Sequence, residues 1–150
     1  MPSQEQLEVY RQHSATSEKY TYFLLAAVGA AIALCINQTQ ALNLSPSQTP
    51  LGLAVVLWGL SFYLGCRHVG MVKATLYTNG ALLRVQDGMD PLAGRNVEAI
   101  GIASDALREI IDTRSNQASF AAAWQFRCLV LGGIAYLAWH IYEMWLRTPM

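Results

Sequence analysis

The feature that most constrains this chain is an uncharged stretch from residue 20 to residue 66, which contains no Asp, Glu, Lys, Arg or His. Helices on the surface of soluble proteins carry charged residues on the face turned to water. Long segments without them are typical of proteins that cross a bilayer. The composition agrees, because 53% of the residues are hydrophobic and 13% are charged, against about 25% charged in soluble domains. The first expectation is an integral membrane protein.

Three apolar runs predict transmembrane helices, at residues 20–36, 51–66 and 128–146. At about 1.5 Å per residue they extend roughly 24 to 29 Å, close to the ~30 Å hydrocarbon core once flanking residues are added. Buried helices of a soluble bundle are the alternative, and the missing charged face argues against them. A cleaved signal peptide is also disfavoured, because the segment before residue 20 is long and carries three glutamates.

The distribution of Lys and Arg predicts the orientation. Seven of these residues lie between 67 and 127, none lies in the loop 37–50, and Arg147 is alone in the tail 147–150. The positive-inside rule therefore places residues 1–19 and 67–127 in the cytoplasm of a bacterium, and the loop and tail outside its inner membrane. Arg67 and Arg127 are expected to anchor the inner interface, and Trp145 the outer one.

The cytoplasmic segments have a helical pattern, which makes the predicted fold all-α. Residues 67–127 are expected to form an antiparallel helical hairpin that reverses in the Gly- and Pro-containing stretch 87–96. Its packing seam is predicted from residues spaced three and four apart, with Val72, Leu76, Asn79 and Leu83 on the first helix and Leu107 and Ile111 on the second. The N-terminal helix 1–19 could complete a three-helix cytoplasmic bundle.

Small residues in the spans predict close helix packing. The glycines concerned are Gly29, Gly59, Gly132 and Gly133. They could pack the spans of one subunit or join several subunits, and both readings stay open at this point. Asn79 in the predicted seam favours a homo-oligomer, because a polar seam residue can specify register and partner number.

Candidate chemistry is sparse. His140 and Glu143 lie three apart in the third span, and they are interpreted as interfacial anchors, a proton or ion site, or a metal site, in that order of preference. Cys66, His68 and Cys128 could bind a soft metal, but small apolar packing explains the cysteines better. No nucleotide, hydrolase or metalloprotease motif is present. We therefore expect no enzyme activity, no cofactor and no bound metal, and the zero net charge argues against nucleic acid.

Four stretches of the chain, "EKYTYFLLA", "LWGLSFYLGCRH", "ATLYTNGALL" and "WQFRCLV…AWHIYEMW", resemble an uncharacterised group of small bacterial inner-membrane proteins, to which no activity is assigned. The layout of cytoplasmic helices around a tight pair of spans also resembles the SLATT-type membrane effectors, which are thought to breach membranes in bacterial conflict. The third span departs from the two-span plan of those effectors.

The predicted function is that of a small oligomeric membrane protein, a channel or membrane-perturbing effector regulated through its cytoplasmic hairpin. The alternative is a non-conducting scaffold or accessory subunit that binds a cytoplasmic protein through the hairpin. A proton-coupled carrier using His140 and Glu143 is a third hypothesis, although three spans are few for a transporter.

Overall fold

The computed structural model describes residues 4–39, 46–91, 94 and 96–147, with side chains described at 16, 18–39, 47–91, 94 and 96–146. The chain forms three long helices, α1 (Gln4–Thr39), α2 (Thr49–Gln86) and α3 (Val97–Arg147), and a 3₁₀ turn at Pro46–Gln48. The described residues include no strand. The all-helical prediction is therefore confirmed.

Each of the three helices is long and apolar enough to cross a membrane. The segments that meet this condition are Glu18–Thr39, Thr49–Gln86 and Val97–Leu146. They contain the predicted spans 20–36, 51–66 and 128–146 and extend beyond them. Between 22% and 28% of the residues in their most apolar windows are buried inside the protein, so most of the apolar surface of each helix faces outward.

The helices are more continuous than the predicted segments. α1 joins the N-terminal segment to the first span, and α2 runs through the second span without interruption. α1 ends at Thr39 and α2 begins at Thr49, which leaves a shorter connection than the predicted loop 37–50. Residues 1–3, 40–45 and 148–150, and the side chains of 4–15 on which a third cytoplasmic helix would depend, lie outside the described residues.

The connection between α2 and α3 is defined by its caps. Gly88 has φ 68°, and Gly88 N donates to Val85 O at 3.1 Å while Met89 N donates to Arg84 O at 3.0 Å. This is a Schellman motif, whose left-handed residue glycine adopts most easily. Asn96 caps α3, because its Oδ1 accepts from Glu98 N at 3.0 Å. These caps explain why the helices end on either side of the reversal predicted at 87–96.

The chain divides into two compact units. The three-helix unit contains the described residues up to Gly65 and from Ala123 onward, and the two-helix unit contains Cys66–Ala122. In the three-helix unit, the core includes two large aromatic side chains, Trp58 and Trp139, which are 5% and 6% exposed. The remaining core residues are Val28, Cys35, Leu51 and Ala54.

In the two-helix unit, small side chains form the buried face. α3 contributes Ser104, Ala118 and Ala121, and α2 contributes Thr78 and Val85. The packing of α2 against α3 is antiparallel, because His68 contacts Ala118 and Thr78 contacts Arg114.

The predicted seam is only partly placed at this contact. Leu107 and Ile111 are half-buried on α3, and Asn79 is half-buried on α2. Val72, Leu76 and Leu83 are instead 39%, 59% and 61% exposed. The face of α2 turned to α3 is thus offset from the predicted seam by about one residue. The physical reason is that the face of α2 turned to α3 includes the small residues Ala74, Thr75 and Thr78, whereas Leu76 and Leu83, which belong to the stronger hydrophobic pattern, face outward.

Candidate functional site

All three helices of the three-helix unit come together at Gly65 of α2. A methyl group on its Cα would lie 2.6 Å from Gln125 Nε2 of α3 and 2.7 Å from Leu25 Cδ2 of α1. One turn earlier, Ser61 Oγ donates to the backbone carbonyl of Gln125 at 2.7 Å. The absence of a side chain at Gly65 therefore makes room for a polar side chain between three apolar helices.

Among the described residues, Gln125 is the largest fully buried side chain, at 1% exposed. Its Nε2 has no hydrogen-bond partner among the described residues. Burying an unpaired amide is costly, and polar groups at membrane depth often mark functional positions. An amide does not titrate near neutral pH, so this position can supply hydrogen bonds but no acid–base chemistry.

A cluster of aromatic rings fills the three-helix unit on the side of Trp58. Trp58 Nε1 donates to Leu129 O at 3.2 Å, and a methyl group at Gly132 would lie 2.6 Å from the same indole. Tyr136 lies 5.8 Å from both Trp58 and Trp139 between ring centroids. Tyr136 Oη donates to Gln38 Oε1 at 2.8 Å, which ties α3 to the end of α1. Among the described residues, side chains from all three helices thus occupy the interior of this unit.

The candidate ion or proton site has a histidine at its surface. His140 is exposed and its ring lies parallel to that of Tyr136, with centroids 6.4 Å apart and an interplanar angle of 9°. Glu143 is half-buried on the next turn. Stacking on an aromatic ring is compatible with an interfacial anchor. The ion or proton role of the pair stays a prediction.

The cysteines are free thiols, with Cys35 and Cys128 buried and Cys66 exposed. His68 is engaged elsewhere, because its Nδ1 lies 2.9 Å from Ala118 O. A carbonyl oxygen only accepts, so His68 carries its proton on Nδ1 and links α2 to α3. Among the described residues, no group of three or more His, Cys, Asp or Glu side chains could hold a metal ion.

The predicted anchors lie at the surface. Arg67 and Arg127 are exposed, and Trp145 is 69% exposed. The Arg127 guanidinium lies 5.2 Å from the centroid of the Trp124 ring, a cation–π distance. These positions suit interfacial anchoring, which itself stays a prediction.

The predicted packing glycines divide into two groups. Gly132 packs against Trp58 inside the unit, whereas a methyl group at Gly29, Gly59 or Gly133 would meet no described atom within 4 Å. Intramolecular packing therefore accounts for Gly132, and the other three glycines are open to contacts outside the chain.

The two-helix unit contains a polar contact that crosses from α3 to α2. Arg114 donates to Thr78 Oγ1 at 3.0 Å and to Ala74 O at 3.3 Å. A charged donor makes the stronger kind of hydrogen bond. Beside this contact lies an open groove of about 300 Å³, lined by Glu109, Ile110, Thr113, Arg114 and Gln117.

Sequence reasoning missed several of these residues. Ser61 of α2 and Gln125 of α3 meet in the three-helix unit, and Arg114 joins the helices of the two-helix unit. His68 was considered only as a metal ligand, and its contact with Ala118 was not predicted. The available signal was a heptad spacing on α3 that places Ser104, Ile111, Ala118, Gln125, Gly132 and Trp139 on one face. This spacing runs through polar and small residues, which a search for hydrophobic residues overlooks.

Comparison with known proteins places the chain beside no established relative. No protein-family model, no curated protein and no solved structure matches it.

Proposed function

We propose that this protein is a self-assembling helical membrane protein of the bacterial inner membrane that acts as a channel or membrane-perturbing effector. In this proposal the segment 67–127 is a cytoplasmic hairpin through which the assembly is regulated. The proposal agrees with the resemblance to small bacterial inner-membrane proteins and to SLATT-type effectors.

One observation carries the proposal: the two-helix unit buries small side chains and exposes large apolar ones. Leu76, Leu83 and Ile102 are each about 60% exposed or more, whereas Ala118 and Ala121 are buried. In water, exposed aliphatic side chains of this size are stabilised when another surface covers them. A two-helix unit that stands in the cytoplasm is therefore expected to assemble with further copies.

The three-helix unit supports the same proposal from the membrane side. Phe23, Val56 and Ile134 are 67%, 66% and 57% exposed, and lipid is the solvent that stabilises such a surface. A single copy is not expected to conduct, because it has only three helices and Trp58 and Gln125 occupy the space between them. Conduction therefore requires several copies, and Gly29 and Gly59 offer surfaces where backbones could approach closely.

The test is the oligomeric state of the purified protein followed by ion flux. We expect a defined oligomer in mild detergent by mass photometry, and release of a potassium gradient from liposomes that contain it. A strictly monomeric protein, or sealed liposomes at every protein density, contradicts the channel. Replacing His140 by alanine tests the carrier hypothesis, because transport by a carrier that uses His140 and Glu143 would lose its pH response.

The scaffold is the second candidate, and the same exposed face of the two-helix unit favours it. In that case a cytoplasmic protein, and not another copy of this chain, packs against Leu76 and Leu83. The outcome that selects the scaffold is a stoichiometric partner recovered with the full chain but lost with Leu76→Ser/Leu83→Ser, together with sealed liposomes. The orientation is tested by cysteine labelling, with Cys66 expected to react only from the cytoplasmic side.

A further inference from the structure

The outward face of α2 in the two-helix unit combines apolar and basic residues. Leu76, Tyr77 and Leu83 are 59%, 75% and 61% exposed. Lys73 and Arg84 are exposed among them, and no Asp or Glu occurs between residues 66 and 86. This face of α2 is therefore both apolar and positively charged.

The outward face of α3 in the same unit is apolar and acidic. Ile102 and Phe120 are 68% and 64% exposed, and Asp105, Glu109 and Asp112 are exposed between them. Residues 97–122 contain four acidic residues and two basic ones, so the negative charge of this face is offset only in part. Arg108 pairs with Asp105 at 3.4 Å, and Arg114 donates across to α2.

The register of the two helices places complementary charges at matching heights. Arg114 contacts both Ala74 and Thr78, so Lys73 lies within about a turn of the level of Asp112. Continuing the antiparallel register of the Ala74–Arg114 contact along both helices brings Arg84 level with residue 104, within about a turn of Asp105. Copies that share one membrane and one orientation present these levels to each other without a shift.

We infer that the basic face of α2 in one copy docks on the acidic face of α3 in a second copy of this chain. Lys73 meets Asp112 and Arg84 meets Asp105, while Tyr77 and Ile102 flank the charges and exclude water. This inference rests on the proposed function, whose self-assembly it specifies.

The contact is head to tail, because its two surfaces belong to different helices. Each copy keeps one α2 face and one α3 face, so every copy can bind two neighbours. Such heterologous contacts close into rings when the rotation between copies allows it. A ring of these units would hold several sets of spans around one axis, as the channel proposal requires.

Charge exchange tests the contact in the full-length protein. We expect Lys73→Glu/Arg84→Glu and Asp105→Lys/Asp112→Lys each to weaken association about tenfold, and the fourfold variant to recover it, because opposite charges face each other again. Asp87→Lys is the control, since this exposed charge lies in the turn and outside both faces. Association that is unchanged by either reversal, or that the fourfold variant fails to restore, overturns the contact.

Cross-linking between differently tagged copies tests the geometry. Both copies carry Cys66→Ser, one carries Lys73→Cys and the other Asp112→Cys, and a short bis-maleimide is added to membranes. We expect a mixed dimer from co-expressed copies and none from either alone. A dimer from Lys73→Cys alone would show a symmetric α2–α2 contact and overturn the inference. An oligomer without a mixed dimer overturns this contact but leaves the proposed function standing, whereas a monomer overturns both.

Discussion

α2 and α3 each run through both units, yet they bury different kinds of side chain in each. In the three-helix unit the core holds Trp58 and Trp139, and the small residue Gly132 makes room for one of them. In the two-helix unit the buried face holds Ala118 and Thr78, whereas Leu76 and Leu83 lie outside. Under the proposed topology, the outward apolar surface of one helix therefore has a different role in each unit. An exposed apolar surface is stable in contact with lipid. In water, the same surface is stabilised when another protein surface covers it.

The largest expected effect comes from placing the same charge on the outward face of each unit. Leu137 and Leu83 are nearly equally exposed, at 59% and 61%. Leu137→Lys lies at the middle of the span 128–146 and should oppose membrane insertion by about 2.5 to 3.5 kcal/mol. Leu83→Lys should leave insertion unchanged. The fraction resistant to alkaline extraction from membranes measures both, and equal losses would show that the two surfaces face the same solvent.

The second expected effect concerns the interior of the three-helix unit. Gly132→Ala places a methyl group 2.6 Å from the Trp58 indole and 3.2 Å from Ala54 O. Because Trp58 is held by its bond to Leu129 O, we expect a loss of about 1 to 3 kcal/mol in stability, as in other overpacked interiors. Thermal unfolding in detergent measures it.

The neighbouring glycine is the matched control for this substitution. A methyl group at Gly133 meets no described atom within 4 Å. Gly133→Ala should therefore be neutral or slightly stabilising, because alanine favours the helix over glycine. If both variants lost stability equally, helix propensity or an intermolecular contact would matter more than the packing against Trp58.

The third prediction concerns the contact that joins the helices of the two-helix unit. Thr78→Val removes the Oγ1 that accepts from Arg114 at 3.0 Å and should cost about 1 kcal/mol. Thr75→Val is the control, because the Thr75 hydroxyl donates within its own helix to Met71 O. Hydrogen exchange should show faster opening of 74–85 in the first variant only. Equal protection in both variants would mean that Arg114 contributes little.

The parts of this molecule that were predictable from sequence are the long apolar helices and the reversal between α2 and α3. An uncharged stretch as long as 20–66 is stable in few settings other than a bilayer, and Gly88 and Asn96 are residues that end and begin helices. The side of each helix that packs inward was harder to predict. On α2 the hydrophobic pattern selects Leu76 and Leu83, whereas the structure buries Thr78 and Val85. Hydrophobicity predicts that a face is covered, but it does not say whether the cover is the same chain, another copy or lipid.

The polar positions in the spans were not predictable for a related reason. Glutamine is usually found on surfaces exposed to water. Gln125 is only 1% exposed because Gly65 on α2 has no side chain and leaves space for it. This pairing depends on the register of α2 against α3, which sequence spacing alone does not fix. His140 was visible in the sequence because an ionisable residue stands out in an apolar run, although its parallel ring contact with Tyr136 was not predicted.

The smallest expected effect compares one buried serine from each unit. Ser61 Oγ donates to Gln125 O at 2.7 Å in the three-helix unit, and hydrogen bonds between helices in membranes contribute about 0.6 kcal/mol on average. Ser104 is also buried, in the two-helix unit, and its Oγ has no partner among the described residues. Ser61→Ala should therefore lower stability by about this amount, whereas Ser104→Ala should be neutral or stabilising, because it removes an unpaired polar group. Equilibrium unfolding in mixed micelles measures both, with the same atom deleted in each variant. If Ser104→Ala is destabilised, the Ser104 hydroxyl must have a hydrogen-bond partner in the assembled protein. That partner would belong to another copy of the chain.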